Sequence, residues 1–124
     1  MSASIEQMLE LHSSDLADLR RSGLSDATIA SMGCCSAEAK IIRMRTGLDN
    51  LTSAGYCIPY AGITDQTGAP YLRWRLREPG EKMRYASGRG DDAQLYIPLA
   101  LAALPPSDLL VVTEGEKKAA KAVQ

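Results

Sequence analysis

A chain of 124 residues can bury one modest core and leaves no room for two substantial domains. Hydrophobic residues make up 45% and charged residues 23%, a globular balance, and no apolar run approaches the ~20 residues that cross a bilayer. The opening MSASIEQMLE has neither the basic region nor the apolar stretch of a secretory signal, which predicts a cytoplasmic protein with no membrane partner. The net charge of −1 by itself argues for no nucleic-acid partner, yet it is unevenly spread. Between Tyr71 and Gly90, Arg73, Arg75, Arg77, Lys82, Arg84 and Arg89 face only Glu78 and Glu81, a local +4. A basic stripe on an otherwise acidic chain is either an electrostatic footprint or an ordinary solvated strand face.

The first fifty residues read as short helices. Ile5, Met8, Leu9, Leu16 and Leu19 fall on one helical face. Ser13, Ser14 and Asp15 are capping residues within that run, Arg20 and Arg21 suit a last turn, and Gly23 suits a stop. Ser25 and Asp26 open a next helix carrying Ile29 and Met32 and ending at Gly33. Ser36 and Glu38 open a third, with Ile41, Ile42 and Met44, closed by Gly47. Cys34, Cys35 and Cys57 form no C-x-x-C, and His12 is the only histidine, so reduced thiols are a better reading than a zinc site.

After Asn50 the pattern changes. Tyr56-Cys57-Ile58-Pro59-Tyr60 is a short apolar run, and Asp65-Gln66-Thr67-Gly68 is a turn signal. Residues 71–77 alternate with period two: Leu72, Trp74 and Leu76 on one side, Arg73, Arg75 and Arg77 on the other. The pair predicts a hairpin with one buried face and one arginine face, with Trp74 in the core. A broken apolar run over residues 95–101 and the Pro105-Pro106 punctuation follow.

Leu109-Leu110-Val111-Val112 is a β-rich run without alternation, as in a strand covered on both faces. It leads through Thr113-Glu114-Gly115-Glu116 into Lys117-Lys118-Ala119-Ala120-Lys121-Ala122, a strong helix former. Glu114 stands where open α/β sheets bind ligands, at the C-terminal end of a strand, and Gly115 permits a sharp turn and close approach of a phosphate or metal. Glu116 reads more simply as a first-turn carboxylate complementing the helix dipole. A parallel βα unit needs a next strand to bury itself, so the sequence reads as unfinished at Gln124.

The run VVTEGEKKA resembles the first motif of Toprim domains, found in bacterial primases, topoisomerases and some nucleases, and Glu114 matches the motif glutamate. The segments before it resemble bacterial, phage and plasmid DNA primases of the DnaG type in the same order. They are Leu19 to Ile29 with Gly33; Tyr56 to Tyr60 with Asp65-Gln66-Thr67-Gly68; the arginine run at 71–77; Arg84-Tyr85-Ala86-Ser87; and Leu95-Tyr96-Ile97-Pro98. The similarity spans roughly residues 14–124.

It implies an α+β fold in three parts. Residues 1–50 would be an N-terminal helical layer, 51–107 a small, mostly antiparallel basic sheet, and 108–124 the first βα unit of an incomplete Toprim fold. It implies the front part of a nucleotidyltransferase making primers on single-stranded DNA, with Glu114 catalytic and a partial ligand of Mg²⁺. It also implies Arg73, Arg75, Arg84, Tyr85 and Arg89 against template and nucleotide, and a replicative helicase or helicase domain as a partner. There are departures. The family's Lys before Tyr is Arg84, the zinc ribbon is missing, and no D-x-D motif follows Glu114, so these residues alone are expected to be inactive. The alternative is a non-catalytic module binding single-stranded nucleic acid. A topoisomerase or nuclease fits the upstream arginine run less well.

Overall fold

The computed structural model describes residues 10–78, 84–98 and 115–124. The expected strand at 109–113, Glu114, Lys82 and the helical run from Ile5 to Leu9 lie outside the described residues. The fold is α+β. Four helices, α1 (Ser13–Arg21), α2 (Asp26–Met32), α3 (Ala39–Thr46) and α4 (Glu116–Ala122), accompany four strands among the described residues. The strands are β1 (Cys35–Ala37), β2 (Gly55–Thr64), β3 (Pro70–Leu76) and β4 (Tyr85–Ala86). They form one antiparallel sheet in the order β1-β2-β3-β4.

Local chemistry sets most helix ends. The imidazole Nδ1 of His12 accepts from the Ser14 N–H at the start of α1, one residue before the serines expected to cap it. Ser25 caps α2 through the Thr28 N–H. Gly33 and Gly47 end α2 and α3 at φ 72° and 73°, a left-handed conformation that a β-carbon penalises. Asp65 closes the β2–β3 connection by accepting from the N–H groups of Thr67 and Ala69.

Register then decides which side chains share a face. Ser36, Tyr56, Arg75 and Tyr85 form one row across all four strands, and Cys35, Cys57, Trp74 and Ala86 the next row, on the opposite face. The second face packs on α3: Ile42, Leu51, Cys57, Trp74, Leu76 and Ala86 form its core. The first packs on α1, α2 and α4 through Leu16, Leu19, Ile29, Met32, Tyr56, Ile58 and Ala120. The helices before Asn50 therefore do not make the single layer the sequence suggested. β1 intervenes at 35–37, where the sequence predicts a helix start at Ser36, and it carries the chain across the sheet edge before α3 begins. Three residues are too few to show a strand period. The thiols are unpaired, and burial pushes those of Cys34 and Cys57 upward, so both act as small core hydrophobes.

At Gly55, opposite Leu76, a β-carbon would drive into the Arg75 carbonyl oxygen. Gly55→Ala is expected to cost roughly 1–3 kcal/mol in urea unfolding, as overpacking does. Parental stability in that variant would mean that β2 and β3 are not in this register.

Candidate functional site

The arginine face of β3 does not point into solvent. It faces α1 and α4, and each arginine meets a carboxylate. Arg77 holds Asp15 with two parallel bonds, Nε at 3.0 Å and Nη2 at 2.8 Å, and the Ser36 hydroxyl donates to the same carboxylate at 2.6 Å. Arg75 Nε lies 3.9 Å from Asp18, which also accepts from Tyr56 Oη at 2.8 Å and Lys117 Nζ at 3.2 Å. Arg73 Nη1 donates at 3.0 Å to Glu116, which accepts from Tyr60 Oη at 2.6 Å. Asp15 and Glu116 are only 2% and 1% exposed. Among the described residues, no buried side-chain nitrogen or oxygen lacks a hydrogen-bond partner.

The geometry follows from two periods. Asp15 and Asp18 are three apart on α1, next to buried Leu16 and Leu19, so they share the helix face turned to the sheet. Arg73, Arg75 and Arg77 are two apart on β3 and share its face. Tyr85, on edge strand β4, receives the guanidinium carbons of Arg73 and Arg75 at 4.4 and 5.4 Å from its ring centroid. Tyr60, Tyr71 and Tyr96 extend the assembly as an aromatic cluster, with Tyr60 centroids 4.8 Å from Tyr71 and 5.0 Å from Tyr96.

The charges bias their partners. Burial raises the Asp18 carboxyl, but the Tyr56 hydrogen bond and the Lys117 and Arg75 charges outweigh it and hold the group below its ordinary value. Burial, then the Glu116 hydrogen bond, push the Tyr60 phenol upward, and burial brings Tyr96 up to about 12. Arg73 is raised despite burial because Glu116 faces it.

The expected site residues are therefore divided. Arg73, Arg75 and Tyr85 come together in this network, where carboxylates already match the two arginines. Arg84 and Arg89 are exposed and carry no salt bridge among the described residues. Glu116 keeps its first-turn place but is buried against two residues of the sheet. Sequence reasoning missed Asp15, Asp18, Tyr56, Tyr60 and Lys117 as partners. The available signal was a pair of carboxylates three apart, flanking the apolar positions of a helix, set against three arginines at period two. Glu116 is closed off by Tyr60 and Arg73, and no group of three or more His, Cys, Asp or Glu side chains is placed to share an ion among the described residues. These residues do not compose a magnesium site, and Glu114 lies outside them.

A polar cleft of about 290 Å³ opens beside the network, bordered by Ser14, Asp18, Arg21, Arg75 and Arg77. Among the described residues, no helix is long and apolar enough to cross a membrane. No family model, curated protein or solved structure matches this chain.

Two measurements check the network. Arg77→Met strands a buried carboxylate and is expected to cost about 3–5 kcal/mol, whereas adding Asp15→Leu recovers much of that loss in a double-mutant cycle. Because the folded-state Asp18 carboxyl is held below 3.8, its contribution is complete above that pH and is lost as pH falls below it. Acid unfolding below pH 3.8 is accordingly expected to be shallower in Asp18→Asn than in the parent. Equal slopes would mean that the Tyr56–Asp18–Lys117 contact contributes nothing.

Proposed function

We propose that this chain is the front part of a phage- or plasmid-type DNA primase, a Toprim nucleotidyltransferase that makes primers on single-stranded DNA. The observation that carries this reading is the collinear order of motifs along the sequence, from the G-L-S helix to T-E-G-E-K-K-A. Three features of the fold support it. The arginine run is the central β3 of a small sheet. The R-Y-A-S element supplies the edge strand β4, with Arg84 and Arg89 exposed beside it. A helix begins at Glu116, directly after Gly115 at φ 78°.

In this reading Arg84 and Arg89 meet the phosphates of the template, and Arg73, Arg75 and Tyr85 shape the wall beside them. Glu114 is the carboxylate that would act near Mg²⁺ and help deprotonate the attacking hydroxyl, the proton transfer such chemistry requires. Magnesium retains water tightly and is held by several oxygens, so one glutamate is a poor site by itself. A replicative helicase is the partner this activity would serve. The second reading is a module that binds single-stranded nucleic acid without chemistry, and it rests on the same exposed cations.

Residues 1–124 are expected to bind single-stranded DNA without sequence preference and with steep salt dependence, and Arg84→Ala with Arg89→Ala is expected to weaken binding. They are expected to make no primers alone. Primer synthesis is expected from a protein in which coding sequence downstream of Gln124 supplies a D-x-D strand. There, Glu114→Gln abolishes synthesis and leaves template binding intact. Primers made at the parental rate by Glu114→Gln would remove Glu114 from the chemistry. Binding without synthesis by the longer protein would favour the second reading.

A further inference from the structure

Period two sorts the three cysteines onto the two faces of the sheet. Cys34 packs in the core shared with α1, α2 and α4 and is 3% exposed. Cys35, the next residue, turns to the opposite face, and its Cα lies directly across from that of Cys57 in the antiparallel pairing of β1 with β2. Both belong to the cluster beneath α3, Cys57 buried within it and Cys35 partly exposed at its margin. The Cys57 thiol donates to the Cys35 sulfur, and Cys35 Sγ in turn donates to the Glu10 carboxylate at 3.8 Å. Residues directly opposite in an antiparallel pair have Cα atoms about 4.5–5.5 Å apart, inside the span of a disulfide. Their β-carbons are about as far apart, so bond formation needs an approach of roughly 1 Å. β1 is three residues long and stands at one end of the described sheet order, so it makes that movement at less cost than a central strand.

We propose that Cys35 and Cys57 close a reversible cross-strand disulfide when the chain meets a low-molecular-weight disulfide, a modification that clamps β1 to β2. Cys35, the more accessible thiol, gives its proton to Glu10 and through it to water, and its sulfur attacks one sulfur of the oxidant. The small disulfide bond breaks, one thiolate leaves, and Cys35 is held in a mixed disulfide. Cys57 then loses its proton and attacks the Cys35 sulfur, expelling the second thiolate. The two thiolates take up the two protons, so two protein thiols and one small disulfide become one protein disulfide and two small thiols. Two electrons pass from the cysteines to the oxidant. Cys34 faces the other layer and takes no part. Burial, and then Glu10, push the Cys35 thiol upward, and burial does the same to Cys57, so both stay protonated at neutral pH and the exchange is slow. Such a pair closes under sustained oxidation and is open in a reducing compartment. Closed, it ties off the loop that carries α3 and fixes the short strand that sets α3 on its side of the sheet.

The test is incubation of the folded full chain with glutathione disulfide at mildly alkaline pH, followed by alkylation of free thiols and measurement of the intact mass. The parent and Cys34→Ala are expected to lose two hydrogens and retain no glutathione, and dithiothreitol is expected to reverse the change. Cys57→Ala is expected to stop at a glutathione adduct on Cys35, and Cys35→Ser to form no internal disulfide. The oxidised parent is expected to melt about 5 °C or more above the reduced parent, a rise absent from Cys35→Ser. Because Cys35 is partly exposed, Cys35→Ser decides the matter even where Cys57→Ala fails to fold. An internal disulfide in Cys35→Ser would join Cys34 to Cys57 and overturn the assignment. A parent that ends unmodified, as a glutathione adduct or as a disulfide-linked dimer, or that closes only in urea, overturns the proposal. An oxidised parent that melts with the reduced one overturns the clamp.

Discussion

Three arginines spaced two apart on β3 are matched against three carboxylates from two helices, and the rest of the molecule is arranged around that match. Asp15 and Glu116 are almost fully buried, and their partners come from positions 62 and 43 residues away in sequence. A helix and a strand that share such pairs are fixed in translation as well as in distance, because the planar guanidinium of Arg77 accepts only one placement of the Asp15 carboxylate. Such a network adds little net stability over an apolar core of the same shape. Its larger effect is to make other packings costly, since any slip leaves a buried charge alone.

The C-terminal helix illustrates this. With seven residues, α4 is too short to persist by propensity. It is held by Glu116 on Arg73 and Tyr60, by Lys117 on Asp18, by Ala120 in the core, and by Lys121 and Gln124 on the Gly23 carbonyl at 2.8 and 3.1 Å. The last ten residues are thereby joined to the turn between α1 and α2. The segment that bears the T-E-G-E motif thus leads into a helix anchored to the sheet and to the first helices together.

The same match changes where a polyanion can be received. A guanidinium facing a buried carboxylate and lying over a tyrosine ring has little attraction left for a phosphate, whereas exposed cations with no such partner keep theirs. The basic character that the sequence concentrates in residues 71–90 is divided by the fold. Half of it is structural, turned inward at Arg73, Arg75 and Arg77, and the part at Arg84 and Arg89 stays outside.

The short-range features were legible without coordinates. Ser25, Gly33 and Gly47 act within one helical turn of themselves, the Asp65 turn within four residues, and the alternation at 71–77 within one strand, so each is written in neighbouring residues. The burial of Trp74 followed from its parity with Leu72 and Leu76. What the sequence could not decide was what lay opposite the arginines, because period two says that three side chains share a face and nothing about what covers it. That was settled when β1, too short to show any period, moved α3 to one side of the sheet and left α1, α2 and α4 on the other. Asp15, read as a cap, and Glu116, read as a first-turn charge, became ion-pair partners only then, because electrostatic matching across layers depends on distances in space that no local spacing encodes.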